Sequence, residues 1–495
     1  MKRIIALCLV LCMAVALVAC GSSSGTAGNT GAAGEGTTAA AAAGGFKAGF
    51  GMRDITPKDP VPLDSYGDAK DRISTGLYSY LEARAVAVQD EEGGLLVFAT
   101  GDVSWCPKAL GNNIRAKMSK ELKVDPSHII LSGTHTHSSV ACGLTEMPSV
   151  AKFNDQYVEG MCDAIRDAVA DLKPAKVYVG SVMTEHMNHV RRYIMDDGSL
   201  DGDNAYGTGT KRVAHETEAD PEMQLMKFVR EGGKDILISQ FQAHPHLEGK
   251  TTNISAQTVG AIRDAVEKNL DAHSLHWQGA AGNLNTQGSL EGETPFSRDN
   301  NGRVAYGEKM ADYIETVYSD LKEVKTGPVK VMEFALDAPA NHVYDEYLIE
   351  ANMVKEYFNA GHTAGQTATY AHQLSADRGL EKRINSYYHA NRIVSNSTLG
   401  STVTIQLAAW SFGEVGGFVN SYEMFDTTGM YIKENSPFEI TFVVGYSYPG
   451  GGGYIPDKDA FPRGGYEADN CMFAPGAAEL IADKNLEMLN EMFEN

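Results

Sequence analysis

Four segments of this chain place rare polar side chains where apolar runs end. The first is Ser132-Gly-Thr-His135-Thr-His137, which follows a strand-like run from His128 to Ser132. Two histidines at i and i+2 leave an extended segment on the same side, so both can face one pocket. The second is the apolar run Asp235 to Ala243, which leads into His244-Pro245-His246. The proline stiffens the turn at the point where a side chain must be aimed. The third is Val403 to Trp410 followed by Ser-Phe-Gly413-Glu414, a carboxylate just beyond a long apolar strand. The fourth is Ile440 to Val444 and the loop after it, which carries Tyr446, Tyr448, Tyr454 and Tyr466 and a glycine run at 450 to 453. Taken singly, the histidine segments read equally as hydrogen-bonded polar residues or as part of a metal site, Glu414 reads as a surface glutamate, and the tyrosine-dense glycine run reads as a loop that folds tightly or approaches a ligand closely. Taken together, two histidines, a carboxylate and a phenol form a zinc ligand set with a position left for water.

Such ligands must be held by a scaffold, and the chain alternates strand-like and helix-like stretches. Leu95 to Thr100, Lys176 to Val182, Ser274 to Trp277 and Val329 to Leu336 read as further strands. Pro107 to Leu122 reads as a helix with proline at its start. Asp155 to Leu172 carries Val158, Met161, Cys162, Ile165, Ala168, Val169 and Leu172, the stripe of an amphipathic helix. Ala256 to Leu270, Val304 to Leu321 and Ala477 to Phe493 read as helices too, and Asn352 to Arg392 as a helical insertion. This interleaving predicts an α/β fold: a mixed β-sheet core covered by helices, in one large catalytic domain over residues 46–495. Ligands in such sheets gather outside the carboxyl ends of strands, where the four segments lie.

The first 45 residues read as address and tether. Lys2-Arg3 precedes an uncharged apolar run from Ile4 to Val18, too short to span a bilayer and suited to a signal peptide over residues 1–19. Leu17-Val18-Ala19-Cys20-Gly21 resembles a bacterial lipobox, which predicts lipidation of Cys20 and anchoring outside the cytoplasm at the cell membrane. Residues 20–45 are nearly all Gly, Ser, Ala and Thr, the composition of a flexible stalk. The remaining cysteines, Cys106, Cys142, Cys162 and Cys471, lack CxxC spacing and are expected free and buried. Over 495 residues, 42 Lys and Arg against 64 Asp and Glu give a net charge of −22, which disfavours nucleic acid as a partner.

Several motifs, in order, resemble the neutral (non-lysosomal) ceramidase family, specifically its amino-terminal catalytic domain. Gly49-Phe-Gly-Met-Arg-Asp54-Ile-Thr-Pro57 resembles its opening GxGxxDITP, and Leu81-Glu-Ala-Arg84-Ala its RLxARA. Ser132-Gly-Thr-His135-Thr-His137-Ser138 resembles SxTHTHSGP, Asn188-His-Val-Arg191-Arg192-Tyr193 an NRRY segment, and Ala243-His244-Pro245 the HP motif. Gln278-Gly-Ala-Ala-Gly282-Asn283 resembles QGNxGD. The sequence departs from the family in having Ser139-Val140 after Ser138, and Gly282-Asn283-Leu284-Asn285 in place of GDVSP. Only a helix is expected after Phe473, so no carboxyl-terminal immunoglobulin-like domain is expected.

The resemblance implies a zinc site of His135, His244, Glu414 and Tyr454. The family's second tyrosine lies twelve residues beyond its ligand tyrosine, the spacing of Tyr454 and Tyr466 here. It further implies catalytic or substrate-contacting roles for His137, Tyr466 and Arg191 or Arg192. The implied activity is zinc-dependent hydrolysis of an N-acyl amide, with ceramide or a related amide as substrate. Two alternatives stand beside it: a solute-binding lipoprotein without catalytic metal, and a metal hydrolase of the same fold with a non-ceramide substrate. A serine esterase is disfavoured, because no GxSxG elbow is present.

Overall fold

The computed structural model describes residues 45–202, 209–447 and 452–494. The expected signal peptide, Cys20, the stalk up to residue 44, Tyr448, Gly450 and Gly451 lie outside the described residues. A nine-stranded sheet is built from β1 (Lys47–Asp54), β2 (Glu82–Gln89), β3 (Leu95–Gly101), β4 (Ile129–Gly133), β5 (Lys173–Met183), β6 (Glu222–Arg230), β7 (Asp235–Phe241), β8 (Ala272–Gln278) and β9 (Lys322–Val324). Its order is β8-β7-β6-β5-β1-β2-β3-β4, with β9 added beside β5. Pairs β3–β4 and β7–β8 are parallel and the others antiparallel, so the sheet is mixed as expected.

The core holds a second sheet that the sequence did not separate from the first. It comprises β10 (Val329–Pro339), β11 (Thr402–Phe412), β12 (Val415–Val419) and β13 (Ile440–Val444), in that order. The composition of β2 explains the layering. Ala83, Ala85 and Ala87 turn to one face and pack under α2 (Pro148–Ala170). Val86 and Val88 turn to the other face and meet Trp410, Phe412 and Phe442 of the second sheet. A strand buried on both faces reads as a near-continuous apolar run, which hides which partner lies on which side. Phe98, Trp277, Trp410 and Phe442 fill the space between the sheets, with ring centroids 4.7 to 6.4 Å apart.

Helices close both outer faces. α1 (Lys108–Leu122) and α2 pack beside β1 to β4, and α3 (Gln257–Asn269) and α4 (Asn300–Val317) beside β5 to β8. Gly49 and Gly51 of the GxG motif sit under α2. A Cβ on either would lie 2.1 Å from the carbonyl oxygen of Ala168 or Ala164, so this motif serves close helix–strand packing. The expected insertion is a group of three helices, α5 (Leu348–Asn359), α6 (Ala364–Asp377) and α7 (Tyr387–Asn396), with its own small core of Tyr347, Ala351, Val354, Leu374 and Ile393. α8 (Asp426–Asn435) and α9 (Ala477–Glu494) cover the second sheet. Contacts group Ala43–Asn495 into one compact unit. All four cysteines of the described residues are free and buried. No helix among the described residues is long and apolar enough to cross a membrane.

Candidate metal centre

Three parallel strand pairs, β3–β4, β7–β8 and β12–β13, end at the same place. The N–H of Gly445 donates to the Gln278 carbonyl at 2.9 Å, and the N–H of Gly133 to the Tyr446 carbonyl at 2.9 Å. These bonds join the carboxyl ends of both sheets, and the loops leaving them carry the polar residues. The backbone is strained here. His135, Tyr446 and Gln257 adopt φ of 61°, 55° and 53°, a region that residues with a Cβ seldom enter. Gln257 accepts the backbone N–H of His137 through Oε1 at 2.8 Å and so fixes the second histidine.

Two histidine rings are aimed by backbone carbonyls. His135 Nδ1 lies 2.9 Å from the Ser104 carbonyl, and His244 Nδ1 lies 2.9 and 3.0 Å from the carbonyls of Ala281 and Leu284. Each carbonyl holds the hydrogen on Nδ1 and turns the Nε2 lone pair inward, the arrangement that orients metal-bound histidine. Between them stands Glu423, whose Oε2 is 3.0 Å from His244 Nε2 and 3.7 Å from His135 Nε2. The short strands Glu423–Met424 and Tyr454–Ile455 pair side by side, and the Tyr454 phenol hydrogen-bonds the Glu423 carboxylate. His137 Nε2 is 3.1 Å from His135 Nε2, and His135, His137 and His244 converge closely enough to share an ion. Tyr446 stacks on the His135 ring at 4.0 Å, and Trp105 meets its edge at 4.9 Å.

Electrostatics follow from this burial. Burial pushes His135 down to about 3, against the upward pull of Glu423. Burial and then the neighbouring His135, His246 and His244 hold His137 well below the usual histidine range. Burial raises Glu423, although His135 and Arg191 oppose the shift. The Tyr454 phenol donates to the Glu423 carboxylate, but the carboxylate and the two neutral rings, whose lone pairs turn inward, are acceptors toward one another. Such a set fits a cation.

A cleft of about 530 Å³ opens beside this cluster, lined by His137, Arg191, Tyr454, Tyr466, Tyr66 and His246 among others. The Arg191 guanidinium lies over the rings of Tyr454 and Tyr466 at 5.4 and 5.9 Å. Glu467 Oε1 accepts from its Nε at 2.8 Å, and the Gly282 carbonyl from its Nη2 at 2.8 Å. Gly282 itself abuts Glu423. A Cβ there would lie 2.4 Å from the Glu423 carbonyl oxygen, so the QGAAG turn needs glycine at this point.

The family model described as neutral/alkaline non-lysosomal ceramidase, N-terminal, matches residues 46–337. The chain belongs to this family. It is 25% identical over 194 residues to Neutral ceramidase 2 of Arabidopsis thaliana, covering 37% of this chain and 24% of that protein. It is 28% identical over 101 residues to Neutral ceramidase of Drosophila melanogaster, covering 19% and 14%. The matched part thus spans about a quarter or less of these relatives' length. Two solved structures share the fold, each with a TM-score of 0.66. A ceramidase complexed with C2 is 17% identical, covering 91% of this chain and 75% of the other. The neutral ceramidase from Pseudomonas aeruginosa is 16% identical, covering 90% and 75%.

Of the residues that the ceramidase resemblance implied, the structure brings His135, His137, His244, Tyr454, Tyr466 and Arg191 to one place. Glu414 is not among them. β11 runs antiparallel to β12, so its carboxyl end points away from the cluster, and Glu414 sits in the hairpin at that far end. Its carboxylate accepts the backbone N–H of Lys325 at 2.9 Å. The chain then returns along β12, and the loop after Val419 delivers Glu423. Arg192 also turns away. It is 1% exposed, held between Glu216 and Glu467 with its Nη2 3.4 Å from the Ala460 carbonyl, and does not line the cleft. Sequence reasoning missed Glu423, Glu467 and Trp105, and named Tyr446 only as one of the loop tyrosines, without its stacking on His135. A signal for Glu423 was present in Val415-Gly-Gly-Phe-Val419, a short apolar run that ends in Asn420-Ser-Tyr-Glu423.

Proposed function

We propose that this chain is a zinc-dependent amidohydrolase that cleaves the amide of an N-acyl lipid of the ceramide type, giving a fatty acid and an amine. The observation that carries the reading is the convergence of His135 Nε2, His244 Nε2 and Glu423 Oε2 beside a cleft lined by Arg191, Tyr466 and His137. Membership of the ceramidase family supports the bond type. His135, His244, Glu423 and Tyr454 would hold the ion. Zinc supplies Lewis acidity, which activates a water near neutral pH and polarises an amide carbonyl.

The remaining work falls to the chain's own side chains. His137 stays neutral, and its Nδ1 has no partner among the described residues. It can take the proton of the attacking water and return it to the departing nitrogen. Burial, with Glu423 next, raises the Tyr466 phenol to about 12, so it keeps its proton and donates to the oxyanion. Arg191 adds a permanent charge at the same position, held there by Glu467 and the Gly282 carbonyl.

A second reading, an N-acyl amide with a polar or anionic head in place of ceramide, is favoured by the cleft wall. Arg191, Arg212, Lys250 and Arg298 line it, Leu247 is its single aliphatic residue, and no carboxylate lines it among the described residues. Export and attachment to the cell membrane through a lipidated Cys20 belong to the same proposal, supported by the lipobox-like segment and the stalk. His135→Ala tests the core of the proposal. It should lose bound zinc and amide hydrolysis together; full retention of both would refute it.

A further inference from the structure

A second histidine cluster stands behind the wall of the cleft. His189 lies in a short strand, His189–Val190, that pairs with Leu284–Asn285. His215 ends the strand Arg212–His215, and Glu293 follows the turn at Ser289 to Gly292. One ligand atom from each of the three falls within 4.8 Å of the others. His215 Nε2 is 2.7 Å from Glu293 Oε1, and His189 Nδ1 is 3.7 Å from the same oxygen. His189 is 5% exposed, and the side chains of His215 and Glu293 are 19% and 14% exposed.

The chemistry of the other ring atoms gives the cluster its meaning. His215 Nδ1 is hydrogen-bonded to the Val190 carbonyl, and His189 Nε2 lies 3.3 Å from the His186 carbonyl. His186 adopts a φ of 56° there. The carbonyls place the ring hydrogens on those atoms and leave lone pairs on His215 Nε2 and His189 Nδ1. Both lone pairs face Glu293 Oε1, which is itself an acceptor. The other carboxylate oxygen is occupied by the Leu290 N–H at 2.9 Å, which fixes the carboxylate's orientation. Three acceptors therefore converge, just as His135, His244 and Glu423 do, and only a positive species between them satisfies all three. Ligands around tetrahedral zinc stand about 3.3–3.4 Å apart, given metal–ligand bonds of about 2.0–2.1 Å. The separations of 2.7 and 3.7 Å from Glu293 Oε1 to the two rings bracket that value.

We propose that His189, His215 and Glu293 form a second metal site, for a divalent first-row transition ion such as zinc, with its remaining coordination completed by water. The site is distinct from the first. His244 is bridged to Asn285, which pairs with His189, so two strand spacings, about 10 Å, separate the backbones of the two clusters. An ion here would tie together the segments that carry His189, His215 and Glu293, next to the strand that leads into Arg191.

The test is ion stoichiometry by native mass spectrometry on the full chain, stripped by chelator and reloaded with zinc. Wild type should carry two ions, His135→Ala one, and both Glu293→Gln and His215→Ala one. Cobalt loaded into His135→Ala should give visible d–d absorption that vanishes when Glu293→Gln is added. Circular dichroism of each variant distinguishes lost ligation from lost folding. One ion in wild type that His135→Ala removes and Glu293→Gln leaves in place would overturn the second site, making the cluster an imidazolium–carboxylate pair. One ion that Glu293→Gln removes and His135→Ala leaves would support the second site and refute the proposed catalytic one.

Discussion

Glu423→Gln preserves side-chain shape and removes the only formal negative charge among the four proposed ligands. In the wild-type fold one Glu423 oxygen serves His244 at 3.0 Å and faces His135 at 3.7 Å, while Tyr454 bonds the same carboxylate. Losing a partner outside the ligand shell typically weakens a metal site by about 10–100-fold, so loss of a direct anionic ligand should cost at least about 100-fold, or about 2.8 kcal/mol. Stability without metal should move the other way. Burial raises the Glu423 pKa, so the ionised carboxylate opposes folding when no cation is present. Metal-free Glu423→Gln should therefore melt at or above the metal-free wild type, yet gain less from added zinc. The control is Glu414→Gln at the far hairpin, with unchanged zinc affinity and a stability change within about 0.5 kcal/mol. Competition against a chromophoric chelator, with thermal melts of both forms, measures each quantity. Wild-type zinc affinity in Glu423→Gln, or its loss in Glu414→Gln, would refute the reasoning.

The two adjacent arginines should separate cleanly. Arg191→Lys loses the planar fork over Tyr454 and Tyr466 and should lower kcat by about 10²-fold with KM less affected, whereas Arg192→Lys should leave kcat in the wild-type range. Arg192→Met breaks a buried pair with Glu467 and Glu216 and should cost about 3 kcal/mol in urea unfolding. In acid, His276 offers a pH test away from the site. Burial holds it at about 3, below the usual 6.5, so the unfolded chain binds the extra proton and stability falls as pH drops below 6.5. At pH 5.5 this amounts to about 1.4 kcal/mol. Asp426 and Glu248, both raised by burial to about 6, act in the opposite sense, so the check is the difference between wild type and His276→Gln at pH 7.5 and 5.5. Lipid attachment predicts that a radiolabelled fatty acid is incorporated into the full chain in bacterial cells and that Cys20→Ser abolishes the label.

Much of the fold was legible because buried strands and amphipathic helices leave strong local patterns. β3, β4, β7, β8 and α1 to α4 all lie where apolar runs and stripes placed them. The division into two sheets was not legible, since a strand such as β2, buried on both faces, carries no mark of which layer meets it. The histidines were readable for the same reason as their strands: each follows an apolar run that ends at the shared edge. Glu414 and Glu423 show where that logic stops. Both follow apolar strands, and only strand direction decides which one reaches the cluster, a property fixed by the β11–β12 hairpin and not by local composition. Arg191 and Arg192 are adjacent in sequence and point to opposite environments, one to the cleft and one to Glu216. The role of Glu467 was not legible locally, because it holds an arginine from a segment 276 residues away.

The most direct test of the central claim is fatty-acid release by the full-length protein from ceramide and from N-acyl amides with anionic heads. It is measured as purified, after chelation, and after zinc is returned. Release that chelation abolishes and zinc restores, and that Glu423→Gln cannot regain, is the predicted result. Release untouched by chelation, or none from any amide in the zinc-loaded protein, would contradict the account.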